Sequence, residues 1–98
     1  MIRHIVFFSA RNKDDIGDIL AGLRILRDIP HATILEIEPN LHSDDLSDAV
    51  DVVVYGEFAD EAALAAYKAH PLYQDSIQRV RPLRELRMAA DFQSPFTK

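Results

Sequence analysis

The side chains in this sequence that could do chemistry are four histidines, three tyrosines and a run of arginines. His4 lies in the segment IRHIVFFS. An imidazole so placed is either a buried structural group, bonded to backbone or to a helix side chain, or the acid/base or ligand anchor of a pocket. His70 precedes Pro71 at a helix break, where it reads as a cap on a helix C-terminus. His31 and His42 lie in turns and read as solvated. The histidines have no i, i+4 pairing and no carboxylate partner at ligand spacing, so no metal is expected. Asp44, Asp45, Asp48 and Asp51 could attract a divalent cation, but the loop lacks the glycine and terminal glutamate of an EF-hand. With no cysteine, disulfides, thiolate zinc sites and cysteine nucleophiles are excluded. Nothing in the sequence calls for a cofactor.

Tyr67 and Tyr73 project inward from one broken helical segment. Their rings would serve a core, yet a buried phenol hydroxyl needs a partner. Together with His4 they would line a small amphipathic pocket, with Leu23, Val52 and Val54 as its apolar wall. Arg79, Arg81, Arg84 and Arg87 form a basic run. Beside Glu85, and in a chain of net charge -5, they read as a solvated or ion-paired surface; the alternative is an anchor for an anionic head group.

These residues need elements to hold them. Residues 2–9 read as a strand that is apolar on both faces, with Ile2, His4, Val6 and Phe8 on one side and Ile5 and Phe7 on the other. Asn12, Asp14 and Asp15 are cap candidates for a helix over about 14–28, where Ile16, Ile19, Leu20, Leu23 and Leu26 recur at helical spacing before Pro30. Strands follow at 32–41 and 50–58. Pro39 places the end of the first at an edge or a bulge. Asp60 caps a helix carrying Ala63, Leu64 and Tyr67; after Pro71 a shorter one carries Leu72, Tyr73, Ile77 and Val80. The last strand, 83–92, is expected to turn Leu86, Met88, Ala90 and Phe92 to the inner face, and 93–98 to form a tail. The order βαββαβ predicts an α+β, ferredoxin-like single domain over 1–98 with an antiparallel sheet. Helices can cover one face of such a sheet. Ile5, Phe7, Val53 and Tyr55 would then form an exposed apolar patch, which is best covered by a second copy packed sheet to sheet.

The strings MIRHIVFF, LAGLRILRDIP, LEIEPNL, VVYGEFADEAALAAYKAHPLYQ and VRPLRELRMAADF, in this order, resemble the stress-responsive dimeric α/β-barrel (Dabb) family over residues 1 to about 92. The resemblance implies a ferredoxin-like protomer that pairs face to face into a dimeric α/β barrel, with a pocket between sheet and helices. A plant cyclase of that family closes a polyketide chain with a tyrosine matching Tyr67, a histidine where this chain has Tyr73, a first-strand histidine matching His4 and another falling at Val52. A phenol near pKa 10 is a poor base at neutral pH, so the cyclase reaction is not carried over.

Three functions remain in competition. The first is a homodimer that binds a small apolar ligand without chemistry. The second is a cofactor-free enzyme on an apolar carbonyl compound, cyclase-like or monooxygenase-like. The third is RNA binding, since RNA-recognition motifs share this element order and Phe7 and Tyr55 could imitate their aromatics. Against it, the third strand lacks the basic Gly-aromatic signature and carries Asp51 and Glu57, and an acidic chain repels phosphate backbones. The apolar runs are far below the roughly 18 residues of a membrane span, and the N-terminus carries no small-residue cleavage site. The expectation is a cytoplasmic homodimer with no nucleic-acid or membrane partner.

Overall fold

A computed structural model of the chain describes residues 1–96. The first strand, β1 (Ile2–Ala10), is the one with apolar residues on both faces, and it is a central strand. It is flanked by β3 (Val52–Phe58) and β4 (Arg84–Gln93), with β2 (Ile34–Pro39) outside β3. All pairings are antiparallel and the sheet order is β2-β3-β1-β4. Pro39 ends edge strand β2, where its missing N–H does not interrupt the sheet interior.

Three helices cover one face: α1 (Ile16–Arg24), α2 (Glu61–Ala69) and α3 (Pro71–Val80). The helix expected over 14–28 is α only in its middle, with 3-10 turns at Lys13–Asp15 and Ile25–Asp28. The Asn12 side chain caps the first turn, and Asp60 Oδ1 accepts from Ala63 N–H at 2.8 Å at the start of α2. Ile2, Val6 and Phe8 of β1 and Val52, Val54 and Phe58 of β3 are buried against Ile19, Leu23, Leu64, Tyr67 and Val80. Helices α1 and α3 approach so closely that a Cβ on Gly22 would lie 2.9 Å from Val80 Cγ2. There Ser76 Oγ donates to the Gly22 carbonyl at 2.9 Å. The βαββαβ order with helices on one side of an antiparallel sheet is the expected ferredoxin-like fold.

The last strand departs from expectation. Met88 pairs with Phe7, Ala90 with Ile5 and Phe92 with Arg3, so Met88, Ala90 and Phe92 belong to the open face, away from the helices, while Leu86 falls within an irregular stretch of the pairing. Met88 is 57% exposed and Phe92 49%. Alternation tells which residues share a face but not which face the helices cover, and here both faces of the sheet are apolar. The β1–β4 register also slips: Phe8 pairs with Arg87 but Ala10 with Arg84, so β4 carries one extra residue. Such a bulge leaves backbone groups unpaired. Ser9 Oγ accepts the Leu86 N–H at 3.0 Å and satisfies one of them.

The open face is not uniformly apolar. Arg3 Nη1 donates to Tyr55 Oη at 2.8 Å, and Tyr55 Oη donates to the buried Glu57 carboxylate at 2.6 Å. Beside this trio lie Ile5 and Val53, both half-buried, and Phe7, 37% exposed. Strand β4 runs to Gln93, so the expected tail begins at Ser94, with Phe96 exposed; its last two residues lie outside the described residues. Among the described residues no helix is long and apolar enough to cross a membrane.

Candidate functional site

His4 is placed by β1 on the helix-covered face, where it is 1% exposed. Its register partner on β4 is Asp91, and its Nδ1 bonds Asp91 Oδ1. Burial is the largest influence on the imidazole and pulls its pKa down; the bond to Asp91 and that residue's charge oppose this, while Lys68 and Arg87 reinforce it. The net direction is below the ordinary value, so the ring is neutral at pH 7. With Nδ1–H donated to the carboxylate, Nε2 keeps its lone pair, and no group among the described residues bonds it. The sequence reading saw no carboxylate partner for a histidine; Asp91, 87 positions away, supplies one through strand register.

The break between α2 and α3 brings two phenols over this imidazole. His70 has extended backbone, ψ 141°, and ends α2; its Nδ1 accepts the Leu72 N–H at 3.1 Å, so its side chain caps the N-terminus of α3. It was expected at a helix C-terminus; the imidazole serves the next helix instead. Pro71 at the first position of α3 has no N–H to satisfy. The Tyr67 and Tyr73 rings then meet edge to face with centroids 5.3 Å apart, and Tyr67 lies 6.2 Å from the His4 ring. Tyr67 is 1% exposed. Burial first, then neighbouring Tyr73, pushes its hydroxyl pKa well above the ordinary value against the weaker pull of Arg87, so it remains a proton donor. Among the described residues nothing bonds that hydroxyl. The Tyr73 hydroxyl accepts from Arg87 Nη2 at 3.3 Å.

These groups border one cavity of about 290 Å³ between sheet and helices. Val6, Phe8 and Val54 rise from the sheet, Leu23 and Leu26 from α1 and the turn after it, and Ser76, Ile77 and Val80 from α3. Of the six residues assigned to a pocket from sequence, His4, Leu23, Val54, Tyr67 and Tyr73 are brought together here. Val52 is fully buried two residues along β3 and does not border it. Sequence reasoning missed Ser76, Arg81, Arg84 and Arg87 at this cavity. Arg81 and Arg87 are exposed and Arg84 half-buried, which marks the mouth. The basic run was expected to be solvated or paired, with an anchor for an anionic head group as the alternative; Arg81 and Arg87 are solvated, and no carboxylate pairs with these three among the described residues. Arg79 borders a separate groove with Asp28 and Asp75.

The acidic loop does not assemble into a cation site. Asp51 turns inward, accepting from Ala10 N–H at 2.8 Å and from Lys13 Nζ at 2.7 Å. Among the described residues no group of three or more histidines or carboxylates is arranged to hold a metal ion.

The profile of the stress responsive A/B barrel domain, Dabb, matches residues 2–94. The chain belongs to this family. No curated protein matches the Dabb chain in sequence. Its fold is shared by a dimeric ferredoxin-like protein of unknown function from Jannaschia sp. CCS1 (TM-score 0.82, 21% identity, 95% of this chain and 98% of that one). It is shared also by a putative antibiotic biosynthesis monooxygenase from Nitrosomonas europaea (TM-score 0.81, 18% identity, 98% and 100%). A hydroxynitrile lyase from Passiflora edulis is similar as well (TM-score 0.77, 17% identity, 99% and 96%). At these identities the likeness of the Dabb chain to each is one of fold.

Proposed function

We propose that this chain is a single-domain Dabb protein that works as a homodimer and binds a small, largely apolar molecule between sheet and helices. One observation carries the reading: His4, Tyr67 and Tyr73 meet at a cavity with apolar walls, and the Tyr67 hydroxyl there has no protein partner among the described residues. Small-molecule sites are concave, mostly apolar and carry a few convergent polar groups. The volume is close to the lower end of roughly 300–1,000 Å³ for such pockets. Phe7, Met88 and Phe92 on the open face, flanked by Ile5 and Val53, support pairing with a second copy, as does the dimeric description of the Jannaschia relative. A chain without cysteine has no disulfide to keep oxidised, in line with a cytoplasmic location.

Native mass spectrometry of gently purified protein tests both parts. The expected species is a dimer carrying a small molecule that is lost in Tyr67→Phe. A monomer at micromolar concentration removes the dimer, and a Tyr67→Phe protein that retains all bound material removes the assigned pocket.

A second reading, a cofactor-free enzyme on a carbonyl compound, is favoured by the Asp91–His4 pair. A neutral imidazole oriented by a carboxylate, with Nε2 free at the cavity and a phenol donor nearby, can take a proton from carbon next to a carbonyl while Tyr67 holds the carbonyl oxygen. Solvent deuterium entering an α-carbon at a rate that His4→Gln abolishes would establish it.

A further inference from the structure

Taking that cavity as a ligand site, we propose that its ligand is a small monocarboxylate with an apolar tail, the carboxylate resting among Arg81, Arg84 and Arg87 and the tail reaching inward. The distribution of charge points to this. The protein has net charge -5, and the carboxylates that form ion pairs with lysine or arginine do so with cations other than these three: Glu57 with Arg3, Asp51 with Lys13, Glu38 with Arg24 and Arg27, and Asp91, beside His4, with Lys68. Three guanidiniums without such partners nevertheless border one mouth. Like charges so grouped repel, and the grouping is imposed by backbone. Strict alternation would send Arg84 and Arg87 to opposite faces; the extra residue in β4 turns both to the cavity.

Arg84 registers the crowding. Burial, then the charges of Arg87, Arg81 and Arg11, hold its pKa below the ordinary arginine value. An anion at the mouth relieves that repulsion and matches the planar fork of a guanidinium. The interior sets the polarity of the pose. Phe8, Leu23, Val54 and Val80 are apolar, and His4 presents a lone pair, which repels a carboxylate but accepts from a hydroxyl. The charge therefore stays outside and the tail lies within. A single carboxylate, rather than a phosphate alone, uses both parts.

Calorimetric titration of the full chain with octanoate, 1-octanol and inorganic phosphate tests this. Octanoate should bind about tenfold or more tightly than 1-octanol at low salt, the scale of one charge-assisted hydrogen bond, and should weaken as salt rises. Arg84→Gln and Arg87→Gln should each lower octanoate affinity several-fold and leave 1-octanol unchanged, while Arg84→Lys should retain part of it. If 1-octanol binds as tightly as octanoate, with no salt dependence, the pocket stands and the anion assignment falls. If octanoate affinity survives both glutamine variants, or inorganic phosphate displaces octanoate at equal concentration, the carboxylate site is likewise overturned. If neither octanoate nor 1-octanol binds at millimolar concentration, the ligand-site reading falls and takes this inference with it.

Discussion

Asp91 stands directly opposite His4 in the β1–β4 register, and its second carboxylate oxygen lies 3.9 Å from Lys68 Nζ. The carboxylate thus answers a buried imidazole on one side and a half-exposed ammonium on the other. Because the folded-state pKa of His4 is depressed, the unfolded chain takes up a proton before the native one does. Stability contributed by the neutral ring is complete above the unfolded value of roughly 6.5 and is lost as pH falls from there to the depressed folded value. Urea midpoints should drop over that window in the native protein and much less in His4→Gln. Asp91 is an upward influence on the ring, opposed by Lys68 and Arg87, so Asp91→Asn should lower the His4 pKa further. An NMR titration of the imidazole showing a rise would contradict the assignment.

Asp51 is expected to be the costliest loop carboxylate to remove. Burial alone would raise its pKa; the hydrogen bonds from Lys13 and the Ala10 N–H, with the charges of Lys13 and His42, outweigh this and bring it below the usual value. Asp51→Ala strands the Ala10 N–H and should cost about 1–3 kcal/mol in chemical denaturation. Lys13→Met leaves that bond in place and, with Lys13 mostly exposed, should cost under about 1 kcal/mol. Since the Asp51 pKa is depressed, its contribution persists above about 3.8 and is lost as pH falls through the lower folded value.

The open face should behave as an interface. Phe7→Asp and Val53→Asp each place a charge where burial of the native side chain contributes about 1.5–3 kcal/mol. Sedimentation should show monomers or aggregates for both. Met88→Asp should act in the same direction, because Met88 is opposite Phe7; a Met88→Asp dimer of native affinity would mean that pairing uses another surface.

Gly22 should resist enlargement. An alanine Cβ would press on Val80 Cγ2, part of a short β-branched side chain that is stiff at χ1, and Gly22→Ala is expected to cost about 1–3 kcal/mol. Adding Val80→Ala should recover part of the loss, giving a non-additive pair in thermal or urea melts. Simple additivity would show that the α1–α3 contact yields without strain.

Much of this protein could be read in advance where a local signal and a global requirement coincide. The doubly apolar β1, the Asp60 cap and the His70-Pro71 break each announce themselves within a few residues. So did the convergence of His4, Tyr67 and Tyr73, because side-chain phase within each element is local. Three features were hidden. The Asp91–His4 pair depends on register across 87 positions. Asp51 looks like its acidic neighbours until Ala10 and Lys13 are seen to surround it. The alternating apolar set in β4 was assigned to the helix side because the usual inference, apolar means inward, has no meaning for a sheet that is apolar on both sides.

The surplus residue in β4 behaves as a phase slip in a two-beat pattern: positions before it keep one parity and positions after it the other. Composition and direction are thereby uncoupled. Removing Glu85 from the chain would close the slip: Leu86 would stand opposite Ser9, and Arg84 would stay opposite Ala10, in phase with Arg87 on the cavity side. The ladder would become regular, the net charge one unit less negative, and the mouth would keep its cations. The extra residue is what lets two arginines an odd number of places apart share one side of the sheet, so the grouping of charge is written in strand length and not in composition.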